Sequence, residues 1–146
     1  MITKGKEYLN EITYINSIVL PISYNTLFYN SILKKNPIII GISHDKQIVG
    51  GIIGWKEKNE FILGTLAILS KYCGYGYGRK LMDCFLDEVK RIKDELHIQR
   101  ILVHVHDEND NAKGFYTHFG FVFDRIIPKA YPRFNNPKAL VYIYQL

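Results

Sequence analysis

The sequence predicts a mixed α/β fold: a central sheet of six to seven strands, with about four helices distributed over both faces. Three observations predict it. Residues 37–43, 47–56 and 61–69 are short runs rich in apolar and β-branched side chains with tight turns between them, the pattern of an antiparallel meander. A glycine hinge at 72–78 then opens a long segment with apolar residues at helical spacing, the pattern of a crossover helix. Beyond it, strand, helix and strand patterns alternate to residue 144. The 146 residues suit one domain, residues 1–146, large enough to bury a sizeable core. No repeat, linker or low-complexity stretch interrupts it.

The elements follow in order. Residues 1–3 predict a short edge strand, and residues 6–16 a helix with Tyr8, Leu9, Ile12 and Ile15 inward. Pro21 forbids a helix running through 18–24. Ser23 is placed to cap a second helix over 24–35, whose apolar face is Leu27, Phe28, Ile32 and Leu33. Residues 37–43 predict a strand, His44, Asp45 and Lys46 a tight turn, and 47–56 a strand loosened by Gly50, Gly51 and Gly54. After a turn at 57–59, residues 61–69 read as a buried strand. Leu81, Met82, Phe85, Leu86, Val89 and Ile92 mark one face of the long helix, expected to end near 96–97. Residues 100–105 predict a buried strand. Asn109 caps a helix holding Ala112, Phe115 and Tyr116, and Gly120 ends it. A strand at 121–127, a proline-bearing loop at 128–137 and a last strand at 139–144 complete the chain.

Composition narrows the function classes. A hydrophobic fraction of 47% and a charged fraction of 23% are globular values. No apolar run reaches spanning length and the first residues lack the apolar core of a signal peptide, so a cytoplasmic protein, or one also nuclear, is expected. Two cysteines, Cys73 and Cys84, suggest reduced thiols: Cys84 as a small core residue, Cys73 without a nearby base to make it a nucleophile. The net charge of +5 is scattered; it suits an anionic ligand and no basic stripe points to direct nucleic-acid binding. His104 and His106 form a His-Val-His pair, but no third ligand with zinc-like spacing is visible, so no metal is expected.

The hinge reads Cys73-Gly74-Tyr75-Gly76-Tyr77-Gly78, followed by Arg79 and Lys80. Glycines let a backbone approach a ligand, and the first turn of a helix offers unpaired N–H groups at its positive end. Together they make a phosphate cradle. The P-loop fails here because Gly78 is followed by Arg79-Lys80-Leu81. The dinucleotide fingerprint fails because the glycines are spaced by two. The hinge instead resembles motif A of the GNAT superfamily of N-acetyltransferases, R/Q-x-x-G-x-G/A, with Cys73 at the first position. Asn109-Asp110-Asn111-Ala112-Lys113-Gly114-Phe115-Tyr116-Thr117-His118-Phe119-Gly120-Phe121 resembles motif B of the same superfamily. Leu20-Pro21-Ile22-Ser23-Tyr24, Tyr131-Pro132-Arg133-Phe134 and Leu102-Val103-His104-Val105 resemble segments of its protein N-terminal acetyltransferase branch, closest to the catalytic subunit of the NatE type.

That resemblance implies a set of roles. Acetyl-CoA is the cosubstrate, held by Cys73, Gly74, Gly76, Gly78, Arg79 and Lys80 at its phosphates, by backbone of Leu66 and Ile68 along its pantetheine arm, and by Asn109 and Tyr116. Leu20, Pro21, Ile22, Tyr24, Tyr131 and Phe134 line an apolar peptide pocket, suited to N-termini that start with Met and a hydrophobic residue. His104 is the base and Tyr116 the acid for the leaving thiolate. A free α-amine has a pKa near ~7.7–8.0, so a weak base acting through water suffices. The relatives pair the histidine with a tyrosine; the matching position here is Ile62. His104 then works alone with water, or Tyr24 or Tyr131 substitutes, or activity is low. The alternatives are a lysine, small-amine or polyamine acetyltransferase, and a weakly active binding subunit of a ribosome-associated complex. Expected partners are peptide or nascent-chain N-termini, a helical-repeat auxiliary subunit and the ribosome, with no membrane.

Overall fold

Seven strands form one sheet in the order β1-β2-β3-β4-β5-β7-β6 in the computed structural model, which describes residues 1–146. They are β1 (Ile2–Lys4), β2 (Ile38–His44), β3 (Gln47–Glu57), β4 (Glu60–Ile68), β5 (Arg100–His106), β6 (Val122–Ile127) and β7 (Ala139–Gln145). All neighbours are antiparallel except β4 and β5, which are parallel and joined by the crossover helix. The four helices are α1 (Leu9–Val19), α2 (Thr26–Ile32), α3 (Tyr77–Ile92) and α4 (Asp110–His118). A mixed sheet with helices on both faces is thus the observed architecture. No helix is long and apolar enough to cross a membrane.

Strand alternation divides the side chains between two cores. On one face, Ile40, Ile42, Ile52, Phe61, Ile101, Val103 and Val105 pack against Leu81, Met82, Phe85 and Val89 of α3 and Tyr116 of α4. On the other, Ile39 and Ile53 pack against Leu9 and Ile12 of α1 and Tyr29 and Ile32 of α2. Each such fully buried apolar side chain contributes about 1.5–3 kcal/mol. The register irregularities of β3 fall beside Gly50 and Gly54, and its glycines also admit close packing. A Cβ on Gly51 would lie 2.7 Å from Ile12, and one on Gly54 would lie 2.6 Å from Phe85. They are the points where helices on opposite faces come closest to the sheet.

Several expected boundaries move, among them helix α1, which begins at Leu9 after a 3₁₀ turn over Lys6–Tyr8 and runs to Val19 instead of ending at 16. Helix α2 starts at Thr26 and is capped by Asn25, whose Oδ1 accepts the N–H of Phe28 at 2.8 Å; Ser23 caps nothing. It ends at Ile32, and Tyr29 rather than Leu27 faces inward, with Leu27 78% exposed. The reason is polar. Buried Asn16 of α1 donates to the hydroxyls of Tyr29, at 3.2 Å, and Thr65 of β4, at 3.1 Å, and this pins both helices to the strand. Helix α3 ends at Ile92, before the predicted 96–97. There His97 turns left-handed and the N–H of Ile98 returns to the carbonyl of Lys93.

Strand β4 carries one extra residue. Ile53 pairs with Thr65 while the next residue, Gly54, pairs with Leu63, leaving Gly64 as a bulge. A Cβ on Gly64 would stand 1.9 Å from the ring of Trp55. Gly64→Ala is therefore expected to destabilise the protein by about 1–3 kcal/mol through overpacking. Urea unfolding followed by fluorescence checks this, because Trp55 is the only tryptophan and is the ring displaced.

Candidate active site

Strands β4 and β5 are paired over only four positions, from Glu60 opposite Arg100 to Leu63 opposite Val103. An ion pair between Arg100 and Glu60 closes the near end. Past the Gly64 bulge, β4 stays with β3 as far as Ile68, while β5 stays with β7 as far as His106. The two halves of the sheet separate there. A gap opens whose edges are backbone N–H and C=O groups without a partner strand. The side chains of Leu66 and Ile68 turn into the α3 core, so β4 presents its backbone to the gap.

The hinge lies at the far end of this gap. After β4 the chain makes a short 3₁₀ turn (Ser70–Tyr72) and enters α3 through Gly74 and Gly76, with φ of 94° and 78°. Gly76 is the N-cap and carries no side chain to satisfy the first-turn N–H groups. By contrast, the Asn109 Oδ1 caps α4 by accepting the N–H of Ala112 at 3.1 Å. Cβ atoms on Gly74 or Gly76 would meet nothing within 4 Å, so the hinge is open on its outer side. Gly78 packs against the Phe115 ring of α4. Arg79 and Lys80 are exposed and pair with no carboxylate; the ammonium of Lys80 stands 5.7 Å from the Tyr77 ring centre. Uncapped amides, two free cations and a positive helix end fit an anionic diphosphate. The Cys73 thiol is exposed, with only long contacts of 3.9 and 3.8 Å to the carbonyls of Ile68 and Leu69.

The two residues expected to move protons sit on opposite faces. His104 projects from β5 on the face of Leu102, away from α3 and α4. Partial desolvation, and then the nearby Arg125 cation, hold its imidazole below the usual histidine range. Arg125 is positioned by register: His104 and Arg125 both lie opposite Val141, on either side of β7. Tyr116 is buried on the other face, edge-on to Phe115 and Phe121. Burial pushes its phenol well above the ordinary tyrosine range, so it stays protonated, a hydrogen-bond donor, at neutral pH. Ile62 lies opposite Leu102 and packs in the apolar cluster beside it.

The loop after α1 and the loop between β6 and β7 meet in a cleft of about 490 Å³ lined by Pro21, Ile22, Ala130, Tyr131, Arg133 and Phe134. Tyr131 and Phe134 stack at 5.4 Å. Tyr24 stacks on Phe28 at 4.5 Å and stands edge-on to Tyr29 at 6.1 Å; Leu20 precedes the loop and is half-buried. Burial raises the phenols of Tyr24 and Tyr131, so both are protonated at neutral pH. His106 was the residue whose use the sequence left open. Its Nε2 donates to the Asn136 carbonyl at 2.7 Å and its Nδ1 accepts the Glu108 N–H, and its ring lies within 5.4 Å of Tyr131 and Phe134. It fixes the far loop to the end of β5. A wider cavity, about 580 Å³, opens beside the C-terminal half of α3 and is bordered by the Lys4–Glu88–Arg91 ion pairs. It lies away from the gap and holds none of the residues above.

Comparison with known proteins gives an independent line. Residues 7–121 match the model of the Acetyltransferase (GNAT) family. Among curated relatives, the probable N-acetyltransferase san of Drosophila melanogaster is 24% identical over 117 residues, 77% of this chain; the chain spans 62% of that protein's length. N-alpha-acetyltransferase 50 of Danio rerio is 25% identical over 138 residues, covering 91% of this chain and 80% of that one. The structure of Arabidopsis thaliana Naa50 in complex with the bisubstrate analogue CoA-Ac-MVNAL superposes with a TM-score of 0.83 at 22% identity, over 99% of both chains. At that identity the superposition speaks to the fold.

Proposed function

Because the chain belongs to the acetyltransferase (GNAT) family, we propose that it uses acetyl-CoA to acetylate the α-amino group of peptides, preferring N-termini that begin with Met and a hydrophobic residue. The observation that carries this reading is the gap between β4 and β5, with the uncapped start of α3 at its end and an apolar cleft opening beside it. Acetyl-CoA supplies an activated thioester. The free edge of β4 at Leu66 and Ile68 offers hydrogen bonds to the amides of the pantetheine arm. The amides of Gly76, Tyr77 and Gly78, with Arg79 and Lys80, receive the diphosphate.

The peptide lies in the cleft between Pro21, Ile22 and Tyr24 on one side and Tyr131 and Phe134 on the other. Its neutral amine attacks the thioester carbonyl carbon, the C–S bond breaks, and N-acetyl peptide and coenzyme A thiol leave. His104, working through water, takes the proton that the amine loses. Tyr116 gives a proton to the departing sulfur from the opposite face. Apolar walls with aromatic rims favour this acceptor over a polyamine, which requires carboxylates. The name of the Danio rerio relative and the MVNAL peptide bound to the Arabidopsis protein support the same acceptor class. The reading extends to one domain over residues 1–146, acting in the cytoplasm on nascent chains with a NatE-type helical-repeat subunit at the ribosome.

Ile62 favours a second reading, a weakly active subunit that binds acetyl-CoA, since it places no acid or base beside His104. Coenzyme A release with Met-Leu- and Ser-starting peptides, free lysine and spermidine separates the two. Release with Met-Leu- peptides above the rest supports the proposal. Tight acetyl-CoA binding without release from any acceptor supports the second reading.

A pH profile tests His104. Because its pKa is lowered and the neutral ring is the base, the acid limb of kcat/KM assigned to it is expected below about pH 6.5. His104→Asn is expected to lower kcat by on the order of 10²-fold and to abolish that limb. Tyr116→Phe should lower kcat, a loss read at saturating acetyl-CoA.

A further inference from the structure

We propose that His44 is a positioning residue for the diphosphate of acetyl-CoA: it clamps the glycine hinge through the Tyr77 hydroxyl and keeps the first-turn amides of α3 aimed at the gap. The inference rests on the reading that this helix end takes the diphosphate.

The hinge has little to hold it from within. Gly74 and Gly76 both stand at positive φ, where a glycine moves at low cost, and Gly76 gives the helix no side-chain cap. The Cys73 side chain makes only long sulfur contacts. On the α4 side, Phe115 supports Gly78. On the other side stands His44, the last residue of β2.

Four rings meet there. The His44 Nδ1 lies 2.6 Å from the Tyr77 hydroxyl, a hydrogen bond in which either tautomer finds a complementary partner. The His44 ring is 4.8 Å from that of Tyr72, 5.2 Å from Tyr75 and 6.0 Å from Tyr77, and Tyr75 and Tyr77 stack at 5.4 Å. Alternation of tyrosine with glycine thus has a physical purpose. The aromatic side chains turn to His44, which leaves the opposite side of the loop bare. His44 itself is held by a two-residue hairpin turn in which Asp45 and Lys46 both have positive φ, the twist that suits a tight β-hairpin. Asp45 adds little: its carboxylate is 94% exposed and 3.6 Å from the Nε2. Tyr77 is the first residue of α3, so the bond acts on the backbone whose amides face the gap.

The test is calorimetry with coenzyme A on the whole chain, using Tyr77→Phe and His44→Phe. Both keep an aromatic ring and remove the hydrogen bond. Each is expected to weaken coenzyme A binding on the order of tenfold. The double variant should bind no more weakly than either single one, because both lose the same bond. Peptide KM at saturating acetyl-CoA should stay unchanged. S-acetylpantetheine, which lacks the diphosphate, should be used equally well by wild type and His44→Phe. Wild-type affinity in both single variants overturns the inference, as does a parallel rise in peptide KM or an equal loss with S-acetylpantetheine. Wild type that fails to bind coenzyme A removes the functional reading itself, whereas a wild type that binds beside unaffected variants removes only the role of His44.

Discussion

Past Leu63 and Val103, β4 and β5 share no hydrogen bonds, and the rest of the molecule is arranged around that separation. Two constraints produce it. The extra residue at Gly64 breaks the regular register of β4 with β3, and Trp55 fills the space where any side chain on that residue would lie. Meanwhile β5 keeps full register with β7 as far as His106. Neither half of the sheet can follow the other. Unpaired backbone polar groups are costly when buried, so the split is tolerable only because it is open to solvent or to a ligand with amides of its own.

The helices serve the two edges of the gap differently. Helices α3 and α4 cover one face, with the bare start of α3 at the end of the gap and Tyr116 buried in the core beneath. Helices α1 and α2 cover the other, and their connecting loop becomes one wall of the cleft. That loop is not held by apolar contact alone. Asn16, Tyr29 and Thr65 tie α1, α2 and β4 together at the bulge, and Tyr24 lies edge-on to Tyr29. On the far side, His106 and Asn136 anchor the loop that carries Tyr131 and Phe134. Each wall of the cleft therefore rests on a polar contact to the central strands.

Local pattern made most of the fold legible. The apolar, β-branched runs at 37–43 and 61–69, the helical stripe from Leu81 to Val89, and the Asn109 cap each depend on neighbours within a few residues, and each was readable in the sequence. Helix α2 was misread because its facing is decided by the Tyr29 hydroxyl reaching Asn16, thirteen positions away in the chain. The packing role of Gly51 and Gly54 was not legible because Ile12 and Phe85 approach them from other elements. His44 carried no signal of its own beside a turn, since its partners lie some thirty residues downstream.

By itself the sequence determined which segments are strands and helices, where the hinge lies, and which residue types are available for binding an anion and moving protons. These follow from periodicity, backbone freedom and side-chain chemistry, all properties of short stretches. Tertiary structure alone decided that β4 and β5 part after four pairs, that His104 and Tyr116 stand on opposite faces, and that two distant loops close one cleft. Those outcomes depend on volumes and polar groups meeting across the sheet, and no single segment contains both partners.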